Sequence, residues 1–263
     1  FCFTTGQVCD ILRYHRIKRK NHMKLFIIRH GDPNYALDTL TERGWREAEL
    51  LRDRLMRENI TKVYLSPLGR AQDTAKPFLY SSGLTAETKD WLREFPRPAF
   101  QPLKKYGLGE SDANCCPWDL DLRLFTMFSS QLSDNEHWAE HEIYTTTGAA
   151  DYALMVGREM DKLLAENGLE RRAYDYVPNE NFDEERNIAV FCHMGLGSLL
   201  MAHLAHIAPP LYWQMIRVMP TSVSTVTFGK THYSTKESPA YQSKIFMIGD
   251  TTHLSTIGLT YRG

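Results

Sequence analysis

Apolar residues fall along this chain in two rhythms. In "KLFIIRH", Lys24 to His30, four apolar positions follow one another, the pattern of a strand buried on both faces of a parallel sheet. "NIAVFCH", Asn187 to His193, repeats it and also ends on a histidine. "KVYLSP" (Lys62–Pro67), "SVSTVTFG" and "KIFMIGD" read as further strands, and "TAETKDWLREF" as a short extended piece ending near Phe95. Between them the period becomes helical. Thr41 offers a cap, and Trp45, Ala48, Leu51 and Leu55 share one face of "TERGWREAELLRDRLMREN". A second helix begins in "GRAQDTAKPFLYSSG", with Pro77 set against its later turns. "GAADYALMVGREMDKLLAENG" is a third, closed by Gly168 as a C-cap, and "MGLGSLLMAHLAHI" a fourth. Strands alternating with helices predict an α/β, three-layer sandwich: a mostly parallel central sheet with helices on both faces.

Other stretches break the rhythm. Pro96 to Thr147 carries early prolines, scattered aromatics and no strand signal, with helical fragments expected around Trp118–Ser130 and Asp134–Glu142. It reads as a helical cap inserted at about residues 96–147 into a domain spanning 23–263, its Trp118 and Trp138 narrowing a cleft around a small ligand. Glu170–Arg186 reads as a polar loop. Residues 1–22 start without Met and place their basic cluster after the apolar residues, the reverse of a signal peptide. They read as a leader or non-native extension, with Met23 as the start of the fold.

Composition narrows the partners. With 43% hydrophobic and 24% charged residues, this is the balance of an ordinary globular protein. A net charge of −1 provides no global field for nucleic acid or an anionic membrane, so any anion site must be local. Five cysteines, with no C-x-x-C and an adjacent Cys115–Cys116 pair, suit a reducing compartment and predict a cytoplasmic location. No apolar run approaches the ~20 residues of a membrane span. A homodimer is left open.

Strand ends are where ligands gather in open α/β sheets, and two strands here end on histidine. Arg29 precedes His30, and Arg70 stands where a helix begins in "SPLGRAQDTA". Two arginines, two histidines and helix N-termini suit a doubly charged oxyanion, most simply phosphate. Taken one at a time, the same residues have plainer roles: Arg70 could pair with Asp73, Glu94 with Arg93 or Arg97, and Cys192 is read as a small buried strand residue.

With "RHG" after the first strand, "SPLGRAQDTA" after the second, "LRE" at Leu92–Glu94 and "CHMG" after a later strand, the chain resembles the histidine phosphatase superfamily, the phosphoglycerate mutase-like fold. The resemblance implies roles. His30 would be the nucleophile and take the phosphoryl group. Arg29, Arg70 and His193 would hold its oxygens. Glu94 would serve as acid and then base, with Asp90 and Glu87 as alternatives. The family places an asparagine six residues beyond the nucleophile. Here that position is Ala36, and Asn34 is assigned as the phosphate-binding replacement. Met194 stands between His193 and Gly195, where the family has His-Gly. The implied function is a metal-independent phosphomonoester hydrolase, without cofactor, acting on a small phosphorylated metabolite. The rivals are a phosphoglycerate-type mutase and a non-catalytic phosphate-binding protein.

Overall fold

The structure, a computed structural model, describes residues 22–259; the reading of residues 1–21 as a leader lies outside them. Successive side chains of β1 (Met23–Arg29) face opposite layers: Leu25 and Ile27 enter one core, Phe26 and Ile28 the other. That alternation of apolar on apolar makes the strand central.

The remaining main elements, in chain order, are α1 (Glu42–Leu55), β2 (Lys62–Leu65), α2 (Gly69–Ser82), β3 (Ala86–Thr88), α3 (Ala149–Glu166), β4 (Leu169–Arg172), β5 (Asp175–Pro178), β6 (Asn187–Cys192), α4 (Met194–Ala205), α5 (Pro209–Met215), β7 (Val223–Lys230) and β8 (Tyr241–Asp250). The eight strands form one sheet in the order β3-β2-β6-β1-β7-β8-β5-β4. From β3 to β1 every pairing is parallel; β7, β8, β5 and β4 are joined by antiparallel pairings. Leu51 and Leu55 of α1 and Ala75 and Phe78 of α2 cover one face. Val156 and Met160 of α3, Leu196 and Leu200 of α4, and Tyr212 and Trp213 of α5 cover the other. This is the expected α/β sandwich.

Thr41 caps α1 as expected, its Oγ1 accepting the Gly44 N–H at 3.0 Å. Trp45, expected on the buried face, is instead 36% exposed. The face is turned so that Gly44 and Glu47 go inward with Ala48, Leu51 and Leu55, and the buried Glu47 accepts the Asp32 N–H at 2.9 Å. α2 runs through Pro77 to Ser82. The C-cap of α3 is Asn167 rather than Gly168, which follows at φ +103°.

Two stretches read as strandless contain strands. In the stretch expected to form a cap, Ala99–Gln101 pairs with Ala113–Cys115. The expected polar loop at 170–186 holds most of the β4–β5 hairpin, which extends the main sheet. Neither pair is long or apolar enough to carry a periodic signal. The α-helices within residues 96–147 are short: Leu122–Met127, Ser129–Leu132 and Glu142–Thr145. Their Leu124, Phe125, Leu132 and Ile143 pack into the same core as α3 and α4. Trp138 is buried there too, edge-on to Tyr144, so it fills the core and does not line a cleft. Among the described residues, no helix is long and apolar enough to cross a membrane.

Candidate active site

Parallel pairing brings the two histidines together. β1 and β6 are neighbours with Arg29 opposite Cys192, and each histidine is the next residue. His30 N–H donates to the Cys192 carbonyl at 3.0 Å, and the two imidazole centroids lie 5.2 Å apart. Residues far apart in sequence thus become neighbours through register alone. Cys192 itself is a fully buried strand residue, as read.

The chain turns sharply after His30. A Cβ on Gly44 would overlap the Asp32 carbonyl oxygen, and one on Gly31 would crowd Gly44. The loop therefore lies flat on the start of α1, and only glycine fits on both sides. Gly31 N–H donates to Thr74 Oγ1 at 2.9 Å, tying the loop to α2.

His30 Nδ1 lies 2.8 Å from the Gly31 carbonyl oxygen. A carbonyl can only accept, so Nδ1 carries the proton and Nε2 keeps its lone pair. Burial pushes the pKa of His30 down to about 3, and the Arg29 and Arg70 charges add to this against the Gly31 bond. Burial likewise holds His193 well below the usual histidine range, with His30, Arg70 and Arg29 acting in the same direction. Both rings are neutral at physiological pH.

Arg29 Nη1 donates to the Val218 carbonyl at 2.7 Å, and Tyr35 also bonds and faces this guanidinium. Arg70 does not pair with Asp73. Its Nη1 meets Asp38 Oδ1 at 2.6 Å, while Asp38 Oδ2 accepts the Gly69 N–H at 2.7 Å. Asp73 pairs with Lys76 instead. An acidic side chain of the protein therefore already sits at the N-terminus of α2, where an anion is favoured. Burial of Asp38 opposes its charge, but the bonds from Gly69 and Arg70 prevail and hold its pKa below the usual carboxylate range.

Glu94 is half-buried, and of the three carboxylates weighed for the acid it alone reaches the helix behind His193. Its Oε1 accepts Leu196 N–H at 2.9 Å and Phe95 N–H at 2.8 Å; its Oε2 accepts Gly195 N–H at 3.3 Å. Burial raises its pKa despite those three bonds. Asp90 pairs with Arg93, and Glu87 with Lys62 and Lys89, all on the surface. The displaced glycine of "CHMG" still serves the helix start: a Cβ on Gly195 would overlap the Trp118 ring. Asn34 Oδ1 accepts Leu37 N–H at 3.3 Å within its own exposed turn.

Three residues at the site carry no signal in the sequence. Ser66 Oγ lies 2.7 Å from His193 Nε2 and also accepts Leu68 N–H at 3.2 Å. Thr221 N–H donates to the His30 carbonyl at 3.2 Å. Asp38 sits in the loop after the nucleophile. His253 stands one step back, its Nε2 3.1 Å from Thr221 Oγ1. Among the described residues, no group of three or more His, Cys, Asp or Glu side chains is placed to hold a metal ion.

Residues 25–114 match the family model of the histidine phosphatase superfamily (branch 1). Over 81 residues the chain is 35% identical to proteins named probable phosphoglycerate mutase GpmB from Yersinia pestis (strain Pestoides F) and Yersinia pseudotuberculosis (serotype O:1b, strain IP 31758). Each match covers 27% of this chain and spans 38% of the relative's length. The fold is similar to that of a phosphoserine phosphatase mutant from Entamoeba histolytica, with TM-score 0.55 and 18% identity over 88% of this chain and 99% of that one. It is also similar to a mycobacterial glucosyl-3-phosphoglycerate phosphatase, with TM-score 0.51 and 18% identity over 85% and 97%. Residues 25–114, which carry the nucleophile-loop and α2 motifs, thus match the histidine phosphatase superfamily, and the fold of the chain is similar to that of solved phosphatases.

Proposed function

We propose that this protein hydrolyses a small phosphate monoester through a phosphohistidine on His30, without a metal. One observation carries the reading: the Nδ1–H bond to Gly31, which leaves Nε2 as a permanently available nucleophile between His193 and the arginines. In the first step, the Nε2 lone pair attacks phosphorus as the P–O ester bond breaks. The Glu94 proton goes to the leaving oxygen. Oε2, with its single longer bond, is the oxygen left to carry that proton. In the second step, the Glu94 carboxylate takes a proton from water, and the hydroxide breaks the P–N bond. Arg29, Arg70 and His193 stabilise the equatorial oxygens in both steps.

The partner is a small phosphate ester rather than nucleic acid or a membrane, in keeping with a net charge of −1 and a local cluster of arginines. A reducing, cytosolic setting suits the free thiols of Cys115 and Cys116. The test is phosphate release from p-nitrophenyl phosphate in EDTA by wild type and His30→Ala. Release that disappears in the variant supports the reading; equal release from both overturns it. The match to mutase relatives favours a second reading, in which the phosphoryl group returns to another acceptor. Turnover of phosphoglycerate isomers only with a bisphosphorylated primer would select it.

A further inference from the structure

Resting on the phosphatase reading, we propose that Arg217 is the specificity-determining residue of this site: it binds a second anionic group on the substrate, such as a carboxylate, and the cap residue Asp119 holds that place when the site is empty. Two independent chain connections tie Arg217 to the site. On one side, the carbonyl of the next residue, Val218, accepts the 2.7 Å bond from Arg29, so the two arginines are fixed to the same short segment. On the other side, Arg217 Nη2 pairs with Asp119 Oδ1 at 2.9 Å, and the residue before Asp119 is Trp118, whose ring lies on Gly195. Gly195 is two residues beyond His193 and bonds the Glu94 carboxylate. The Asp119–Arg217 pair therefore joins two segments, one bonded to Arg29 through Val218 and the other packed on Gly195 through Trp118.

The charges around it are uneven. Arg70 has Asp38 as a fixed partner held by the α2 N-terminus. Among the described residues Arg217 pairs with Asp119 alone, and both side chains are about half exposed. An exposed ion pair of this kind contributes little and opens readily. A substrate anion covalently tied to a phosphoryl group already bound by Arg29 arrives at high effective concentration and replaces Asp119 at small cost. The guanidinium fork suits a planar carboxylate with two parallel N–H bonds. Arg217 also acts electrostatically on Arg29 and on Cys116, in agreement with its closeness to the site.

The test compares 3-phosphoglycerate with glycerol 3-phosphate, esters of the same length that differ in a terminal carboxylate. Equilibrium affinities are measured by calorimetry in a His30→Ala background, where neither ester is consumed. The expected affinity ratio favours the carboxylate at least tenfold. Arg217→Ala brings the ratio near one, Arg217→Lys restores part of it, and Asp119→Asn increases it by freeing the arginine. No carboxylate preference in the parent, or a preference unmoved by Arg217→Ala, overturns the inference. Because the readout is binding, lack of phosphate release by the wild type is a separate result that counts against the phosphatase reading alone.

Discussion

Ser66 Oγ stands 2.7 Å from His193 Nε2, at the ends of two neighbouring parallel strands. The contact fixes the plane of a histidine that no other side chain hydrogen-bonds among the described residues. Ser66→Ala is expected to lower kcat roughly tenfold, on the scale of about 1.5 kcal/mol for one buried hydrogen bond, with KM little changed. Steady-state kinetics on p-nitrophenyl phosphate check this. A change in KM alone would show Ser66 acting on binding and not on the reacting geometry.

The pH dependence follows from opposite shifts. His30 at about 3 stays neutral across the working range, so no acid limb arises from the nucleophile above pH 5. Glu94, with its pKa raised by burial, is needed protonated for leaving-group departure. Activity should fall as pH rises through the Glu94 pKa, and Glu94→Gln should remove that limb together with most of the rate. A profile of kcat/KM from pH 5 to 9 reads this. An acid limb near pH 6.5 would mean that His30 is solvated and ordinary.

Stability should show the sign of the histidine shift. Unfolded, His30 has the ordinary pKa of 6.5; folded, it is near 3, so the folded state binds fewer protons between those values. Its contribution is present above about pH 6.5 and is lost as pH falls. By pH 5 the loss is about 2 kcal/mol. Denaturant unfolding at pH 7 and pH 5 should show a smaller drop for His30→Gln than for wild type. Equal drops would rule out His30 as a source of acid sensitivity.

Arg70→Ala should cost at least ~100-fold in rate, the scale of losing one oxyanion donor. Asp38 loses its guanidinium partner in the same variant and keeps its bond from the Gly69 N–H at the α2 N-terminus. Inorganic phosphate, titrated as a product inhibitor, should bind more weakly by a similar factor. If inhibition is unchanged while the rate falls, Arg70 acts only in the transition state.

The contact between cap and helix is testable by size. Gly195→Ala puts a methyl group into the Trp118 ring and should destabilise by about 1–3 kcal/mol, read as a lower denaturation midpoint. Adding Trp118→Ala should recover part of that loss, because neighbours in contact couple. Independent effects in the double variant would mean that the ring moves aside freely.

The sequence by itself determined the central strands, the helices that cover them and the residue types at the strand ends. Each of these is written in a local period or a local motif: the alternating layers of β1, the Thr41 cap, and the histidines closing β1 and β6. Tertiary structure decided which of those residues meet. Register between β1 and β6 set the His30–His193 distance, and β2 beside β6 delivered Ser66. The choice of Glu94 over Asp90 and Glu87 depended on burial against the start of α4, which no window of sequence contains. Trp45 turned outward because the close approach of Gly44 to Asp32 fixed the rotation of α1 more strongly than the apolar count of its faces. The β4–β5 hairpin was illegible because its strands are short, polar and held by the edge of a sheet built from distant segments. Periodicity records what a segment buries; it carries no record of the neighbour it is buried against.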